Sequence, residues 1–179
     1  MPFREPKHEA LGTVADGRVA SMEPMQLETA RGLSIILAGM EPWSRLGSSP
    51  ERLCRSMLTN PFDKARSWCM KVDGEPAGVL VIHEDWLVGP YLKRLAVLPT
   101  FQKQGLAQAA LTWWEADARQ AGTANLWLCV SSFNAPAQRL YETMGFRQTG
   151  VLNDLIVSGH DEILMRKQLR PARAAPTAS

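Results

Sequence analysis

The sequence is short of almost everything that would mark a secreted, metal-bound or membrane-spanning chain. It has three cysteines in 179 residues. Cys54, Cys69 and Cys129 are odd in number, lie in unrelated stretches and form no Cys-x-x-Cys pair, which argues against a disulfide framework and against a structural zinc site. The longest apolar runs, residues 32–40 and 77–82, fall far short of the ~20 residues a bilayer span needs. Residues 1–9 mix charges around no apolar core, so they do not read as a secretory signal, and the expected location is the cytoplasm. A dominant charge is lacking too. Twenty Lys and Arg stand against 18 Asp and Glu, a net +2 at pH 7, too little for a field that would hold nucleic acid or an anionic membrane. The basic residues Arg166, Lys167, Arg170 and Arg173 adjoin a tail and have no interleaved aromatics. No nucleic-acid partner, no membrane partner and no metal are expected.

What is present fits one ordinary folded domain, with 45% apolar and 21% charged residues. Residues 1–10 read as a flexible N-terminus, 11–169 as a single domain, and 170–179, rich in Ala and Pro, as a disordered tail. Periodicity predicts a weak strand at 13–19, a helix at 25–40, and a second helix opened by Ser49 as cap with Pro50 in its first turn. A hairpin follows, with strands at 67–72 and 77–83 around Asp73-Gly74. Residues 91–98 predict a strand in which Tyr91, Lys93, Leu95 and Val97 point one way and Leu92, Arg94, Ala96 and Leu98 the other. A helix at 105–121, an apolar strand at 124–130, a helix capped by Asn134 and two last strands at 146–153 and 161–167 complete the chain. The fold class is α/β: a mixed sheet of about six to seven strands with helices on both faces.

The chemistry concentrates where the strand ending Leu95-Ala96-Val97-Leu98-Pro99 meets the helix opened by Gln102-Lys103-Gln104-Gly105-Leu106-Ala107. Small residues at 105 and 107 let a ligand approach unpaired backbone N–H groups at the positive end of a helix dipole, an anion site suited to phosphate. Lys103 adds a positive charge at its rim. A nucleotide P-loop and a dinucleotide fingerprint do not fit, because their glycine strings are absent.

These residues resemble the GNAT superfamily of acyl-CoA-dependent N-acyltransferases, in which a strand ending apolar-Val-x-Pro precedes Gln-x-x-Gly-x-Ala. The second family signature is matched by Asn134-Ala135-Pro136-Ala137-Gln138-Arg139-Leu140-Tyr141-Glu142-Thr143-Met144-Gly145-Phe146. The resemblance spans about residues 66–168. It implies a GNAT-like sheet and an N-acetyltransferase that moves an acetyl group from acetyl-CoA to a primary amine by direct transfer in a ternary complex. The backbone N–H groups of Gln104, Gly105, Leu106, Ala107 and Gln108 would hold the CoA pyrophosphate beside Gln102 and Lys103. The strand Leu95 to Val97 would bond the pantetheine arm, with Ala96 or Val97 polarising the thioester carbonyl, while Asn134 and Ala137 face the arm from the other side. Tyr141 would be the acid that serves the leaving thiolate.

The general base is less direct. Many relatives place a Glu where this chain has Tyr91, so Glu84 or Asp85 on the preceding strand is the candidate, with a water chain as the other route. Cys129, inside an apolar strand, reads as core rather than as a nucleophile. Trp43 with Glu41 forms a candidate pocket for a cationic amine, and Asp154 and Asp161 add carboxylates near the last hairpin. The alternative reading is a non-catalytic acyl-CoA-binding regulatory or interaction module. The sequence leaves a homodimer open.

Overall fold

In the computed structural model, which describes residues 3–170, Asp73 and Gly74 take φ values of 49° and 84°. Such a pair of positive angles is what a two-residue hairpin turn needs. The turn joins β3 (Ala65–Val72) to β4 (Glu75–Trp86) in the middle of the sheet. On β4, Leu80 and Ile82 enter one apolar cluster while Val79 and Val81 enter another. Both faces of this strand are therefore buried, and each needs a helical layer. One layer is α3 (Leu106–Gln120) with α4 (Ala135–Thr143), packed through Leu111, Trp114 and Tyr141; the other is α1 (Leu27–Ala38) with α2 (Pro50–Ser56), packed through Leu33, Leu37 and Leu53.

The remaining strands are β1 (Glu9–Thr13), β2 (Val19–Pro24), β5 (Gly89–Val97), β6 (Asn125–Ser131), β7 (Arg147–Val157) and β8 (His160–Gln168). The eight strands run in the order β1-β2-β3-β4-β5-β6-β8-β7, and only the β5–β6 pair is parallel. The expected six to seven strands thus fall short. Residues 13–19 are not one strand but the reversal between two: Val14 N–H donates to the Arg18 carbonyl at 2.9 Å and Gly17 N–H to the Val14 carbonyl at 2.9 Å. Asp16-Gly17 is the turn signal there, with Gly17 at φ 80°.

The described part of the expected flexible N-terminus is pinned. The Trp68 indole N–H donates to the Lys7 carbonyl at 3.0 Å, that of Trp113 donates to the Glu9 carboxylate at 3.2 Å, and Arg4 pairs with Asp117 at 2.9 Å. Two indole donors and a carboxylate left over by the core packing claim this segment, because half-buried polar groups cost free energy without partners. Of the expected disordered tail at 170–179, only Arg170 lies within the described residues.

One irregularity positions the site. The expected strict alternation from Tyr91 to Leu98 breaks at Lys93: Ile82 faces Leu92 and Val81 faces Arg94, so Lys93 is an extra residue on β5. Leu92, Leu95 and Val97 accordingly pack with the α3 and α4 cluster, while Ala96 joins the α1 and α2 cluster. Arg94 turns with Ala96, its Nη1 donating to Ser56 Oγ on α2. A bulge of this kind sharpens the local twist. Pairing with β6 stops at the same place, since only Tyr91 with Trp127 and Leu92 with Leu128 are in register. Beyond Leu92 the two central strands part.

Candidate active site

The parting of β5 and β6 opens a cleft with two cavities, of about 650 Å³ and 470 Å³, that share Trp43, Leu95, Asn134, Ala137 and Tyr141 as walls. The larger runs from this junction to the start of α3. There Gly105 is the N-cap at φ 86° and Lys103 sits at φ 61°. A left-handed cap without a Cβ suits glycine, and nothing lies within 4 Å of where that Cβ would be. The cap has no side chain to take up the first N–H groups of α3, so those of Leu106, Ala107 and Gln108 have no protein partner among the described residues. With the helix dipole, these N–H groups have the geometry that the sequence reading expected of an anion site.

Gln102, Lys103, Gly105, Leu106, Ala107 and Gln108 all line this cavity, but Gln104 does not. Its side-chain Nε2 donates to the Thr100 carbonyl at 3.0 Å, and its own carbonyl accepts from Ala15 N–H at 3.0 Å. Arg18 Nη2 donates to Gln104 Oε1 at 2.5 Å. The tip of the β1–β2 hairpin therefore buttresses the loop, a contact between residues too far apart in sequence to be read there. Gln102 Nε2 donates to the Val97 carbonyl at 3.0 Å, so its amide fixes the loop on the strand.

The strand's backbone directions correct one expectation. Leu98 N–H donates to the Ala77 carbonyl at 2.8 Å, and the Ala96 carbonyl sits 2.2 Å from where a Cβ on Gly78 would be. Residues 96 and 98 thus turn their polar groups to β4, and alternation aims those of Leu95 and Val97 into the opening. Ala96 lines the cavity without offering its N–H to it.

At the junction, Asn134 Oδ1 accepts from Ala137 N–H at 3.3 Å and caps α4. One turn on, Tyr141 is 8% exposed, with its ring edge-on to Phe146 at 6.0 Å. Its hydroxyl has no hydrogen-bond partner among the described residues. Burial pushes the phenol pKa well above its ordinary value, so the proton stays on oxygen at neutral pH.

The smaller cavity holds the residues that sequence reasoning missed. Glu162, on β8 beside Ser131, is 3% exposed, and Ser131 Oγ donates to its Oε1 at 2.6 Å. Desolvation raises its carboxyl pKa. Arg94 lines the same cavity, and its Nε is buried with no partner. Its guanidinium lies 5.8 Å from the Trp43 ring, and burial lowers its pKa to about 10. For Arg94 the sequence signal was a charge on a predicted strand face otherwise made of Leu92, Ala96 and Leu98; Glu162 shares its face of β8 with His160 and Arg166 and had none.

Two expectations fail here. Glu84 is not in the cleft. It lines a separate cavity with Arg4 and Gly122, and it is held by Arg66, whose side chain is 5% exposed, and by Arg4 at 3.1 Å. Asp117 completes this neutral quartet through Arg66 at 2.6 Å. Glu41 lines the larger cavity beside Trp43, outside the smaller one, and pairs with Arg45 at 3.2 Å. Trp43 also carries Arg94 on its face. Cys129 is half-buried on the wall of the smaller cavity rather than in the core, because the parted strands expose that face of β6. Desolvation raises its pKa and keeps it a thiol. Asp85 pairs with Lys64 at 2.5 Å. Asp154 and Asp161 bond backbone N–H groups inside the last hairpin.

Known proteins share this architecture. A stretch of 60 residues is 40% identical to the ribosomal protein bS18-alanine N-acetyltransferase of Escherichia coli strain K12, covering 34% of this chain and 40% of that protein. The match therefore spans less than half of the curated relative. The crystal structure of the ribosomal-protein-S18-alanine N-acetyltransferase from Escherichia coli superposes with a TM-score of 0.69 at 20% identity, over 89% of this chain and 99% of that one. Mycobacterium smegmatis RimJ in complex with CoA-disulfide superposes with a TM-score of 0.66 at 18% identity, over 92% and 86% of the two chains. Residues 35–146 match the acetyltransferase (GNAT) family. That segment contains the bulged strand, the glycine-capped helix and the Asn134-to-Phe146 motif, and the chain belongs to the GNAT family of acetyltransferases.

Proposed function

We propose that the protein is an acyl-CoA-dependent N-acetyltransferase that moves an acetyl group from acetyl-CoA to a primary amine by direct transfer. The observation that carries this reading is the gap between β5 and β6, which leads from the open N-terminal turn of α3 to Tyr141 and then into a second cavity. An extended thioester arm fits such a gap by adding to the free edge of β5 through Leu95 and Val97. The Val97 or Leu95 N–H would stabilise the oxyanion that forms on the thioester carbonyl.

The groups of this chain divide the proton work. Glu162 takes one proton of the attacking ammonium, directly or through water, so that the nitrogen lone pair can form the C–N bond, and the nitrogen then gives up its second proton to solvent through the same route. As the C–S bond breaks, the Tyr141 hydroxyl donates to the leaving sulfur and is reprotonated from solvent. An ordinary thiol pKa is about 8.5, below that of a phenol raised by burial, so transfer to the sulfur is completed only as solvent returns a proton to the Tyr141 oxygen. A binding module without turnover would have no need for a protonated phenol and a buried carboxylate on the two sides of one junction.

A thiol-release assay with acetyl-CoA against amines, peptide N-termini and lysine side chains tests the reading. Release with at least one class is expected, with no acetyl adduct on any cysteine when acetyl-CoA is added alone. A stoichiometric adduct that amine removes would replace direct transfer by a Cys129 intermediate. The cradle has its own test. CoA at a hundredfold excess over its dissociation constant stabilises the folded state by about 2.7 kcal/mol, which for a chain of this size is a rise of about 5–10 °C in melting temperature. Gly105→Glu should abolish the rise, whereas Gly105→Ala, which carries the same backbone penalty of about 1–2 kcal/mol without the charge, should retain part of it. An undiminished rise in Gly105→Glu would remove the phosphate assignment.

A further inference from the structure

The smaller cavity has an unmatched charge. Arg52, Lys93 and Arg94 line it against one carboxylate, Glu162. Arg94, half-buried with its Nε fully enclosed, differs from the buried Arg66. Arg66 meets two carboxylates, whereas Arg94 forms no ion pair among the described residues and has Ser56 Oγ as its one hydrogen-bond partner. Its Nε is buried and unsatisfied. A guanidinium placed this way costs stability, because desolvation is not offset by an opposite charge. The bulge at Lys93 is what turns Arg94 to this side of β5, toward Ser56 and Trp43.

Such a group is completed by a planar anion that can take two parallel N–H bonds. We infer that the acceptor is a primary amine that also carries a carboxylate, an amino-acid-type substrate whose carboxylate is bound by Arg94 while its amine faces Glu162. This rests on the transfer reading above and narrows its substrate. Arg94 and Glu162 give the cavity one cationic and one anionic wall, matching the two charged ends of an amino acid. A volume of about 470 Å³ leaves room for a side chain against Leu155 and Ile156. The N-terminus of a peptide presents an amide where a free amino acid presents the carboxylate, so it would leave Arg94 unpaired.

Matched pairs of free amino acids and their primary amides decide this. The wild-type protein should show kcat/KM at least about tenfold higher for the acid of the preferred pair, the direction expected when a buried charge finds or loses its partner. Amine basicity works the other way, since the amide has more free amine at neutral pH. Arg94→Gln should bring the ratio to about one by lowering only the acid's value, and Arg94→Lys should restore part of it. Calorimetric titration of each pair into CoA-loaded protein reads the same preference without turnover. Preferential binding of the acid with no thiol release would uphold the carboxylate site and sink the transfer reading. Equal binding and equal kcat/KM for acid and amide would overturn the carboxylate site, as would a variant that loses both alike. If Arg94→Gln does not fold, the acid-to-amide ratio of the wild type decides alone.

Discussion

Tyr141→Phe is expected to lower kcat by about 10²- to 10⁴-fold, the usual worth of general acid assistance, while CoA affinity and melting temperature change little. The change keeps the ring against Phe146 and removes only a hydroxyl that has no partner among the described residues, so little packing or hydrogen bonding is lost with it. Steady-state kinetics with acetyl-CoA reads the loss, and thermal denaturation checks the fold. The deficit should shrink with an acyl donor whose leaving thiol has a lower pKa, because a better leaving group needs less help from an acid. Full turnover in Tyr141→Phe would make the phenol a packing residue and assign protonation of the thiolate to water.

Glu162→Gln should cost about 10²-fold or more in kcat and at the same time stabilise the protein at alkaline pH. Burial raises the carboxyl pKa of the folded state above that of the unfolded chain. Between the two values the folded protein holds a proton that the unfolded chain has released, so stability falls as pH rises through that window. The Gln variant lacks this loss, and its melting temperature should exceed that of the wild type most clearly above the window. In the wild type the same raised pKa should place the acid limb of the kcat/KM profile above the ordinary carboxylate range, and the variant should lack that limb. Glu84→Gln is the contrast. It should keep both kcat and the acid limb yet lower stability by about 1–3 kcal/mol, since Arg66, 5% exposed, would keep only Asp117 as a charged partner. An acid limb that survives in Glu162→Gln would return the search for the base to water or another group.

Much of the site was legible in the chain because it depends on local geometry. A glycine that must sit left-handed before a helix, a Pro that ends a strand and an Asn that caps the next helix act within a few residues, and local patterns report such positions faithfully. Tyr141 was singled out by the family resemblance of its motif, since its helical face alone, shared with Ala137, Leu140 and Met144, reads as core. The base was not legible. Glu84 and Glu162 are both single acids on strands, and nothing near either in sequence says that one meets two arginines while the other lies in a cavity.

The amino-acid sequence by itself determined the α/β class, the central hairpin, the glycine-capped turn before α3 and the Asn134-to-Phe146 helix, all set by periodicity, capping and turn chemistry. The tertiary structure alone decided the eighth strand, the pinning of residues 4–9, the direction of the β5 backbone groups and the charge lining the smaller cavity. Each of these depends on partners distant in sequence. One extra residue at Lys93 reverses the facing of Leu92 relative to Arg94, and a register is a property of two strands rather than of one. That single bulge lies where β5 parts from β6, and it turns Arg94 into a cavity whose unpaired charge no reading of one strand could reveal.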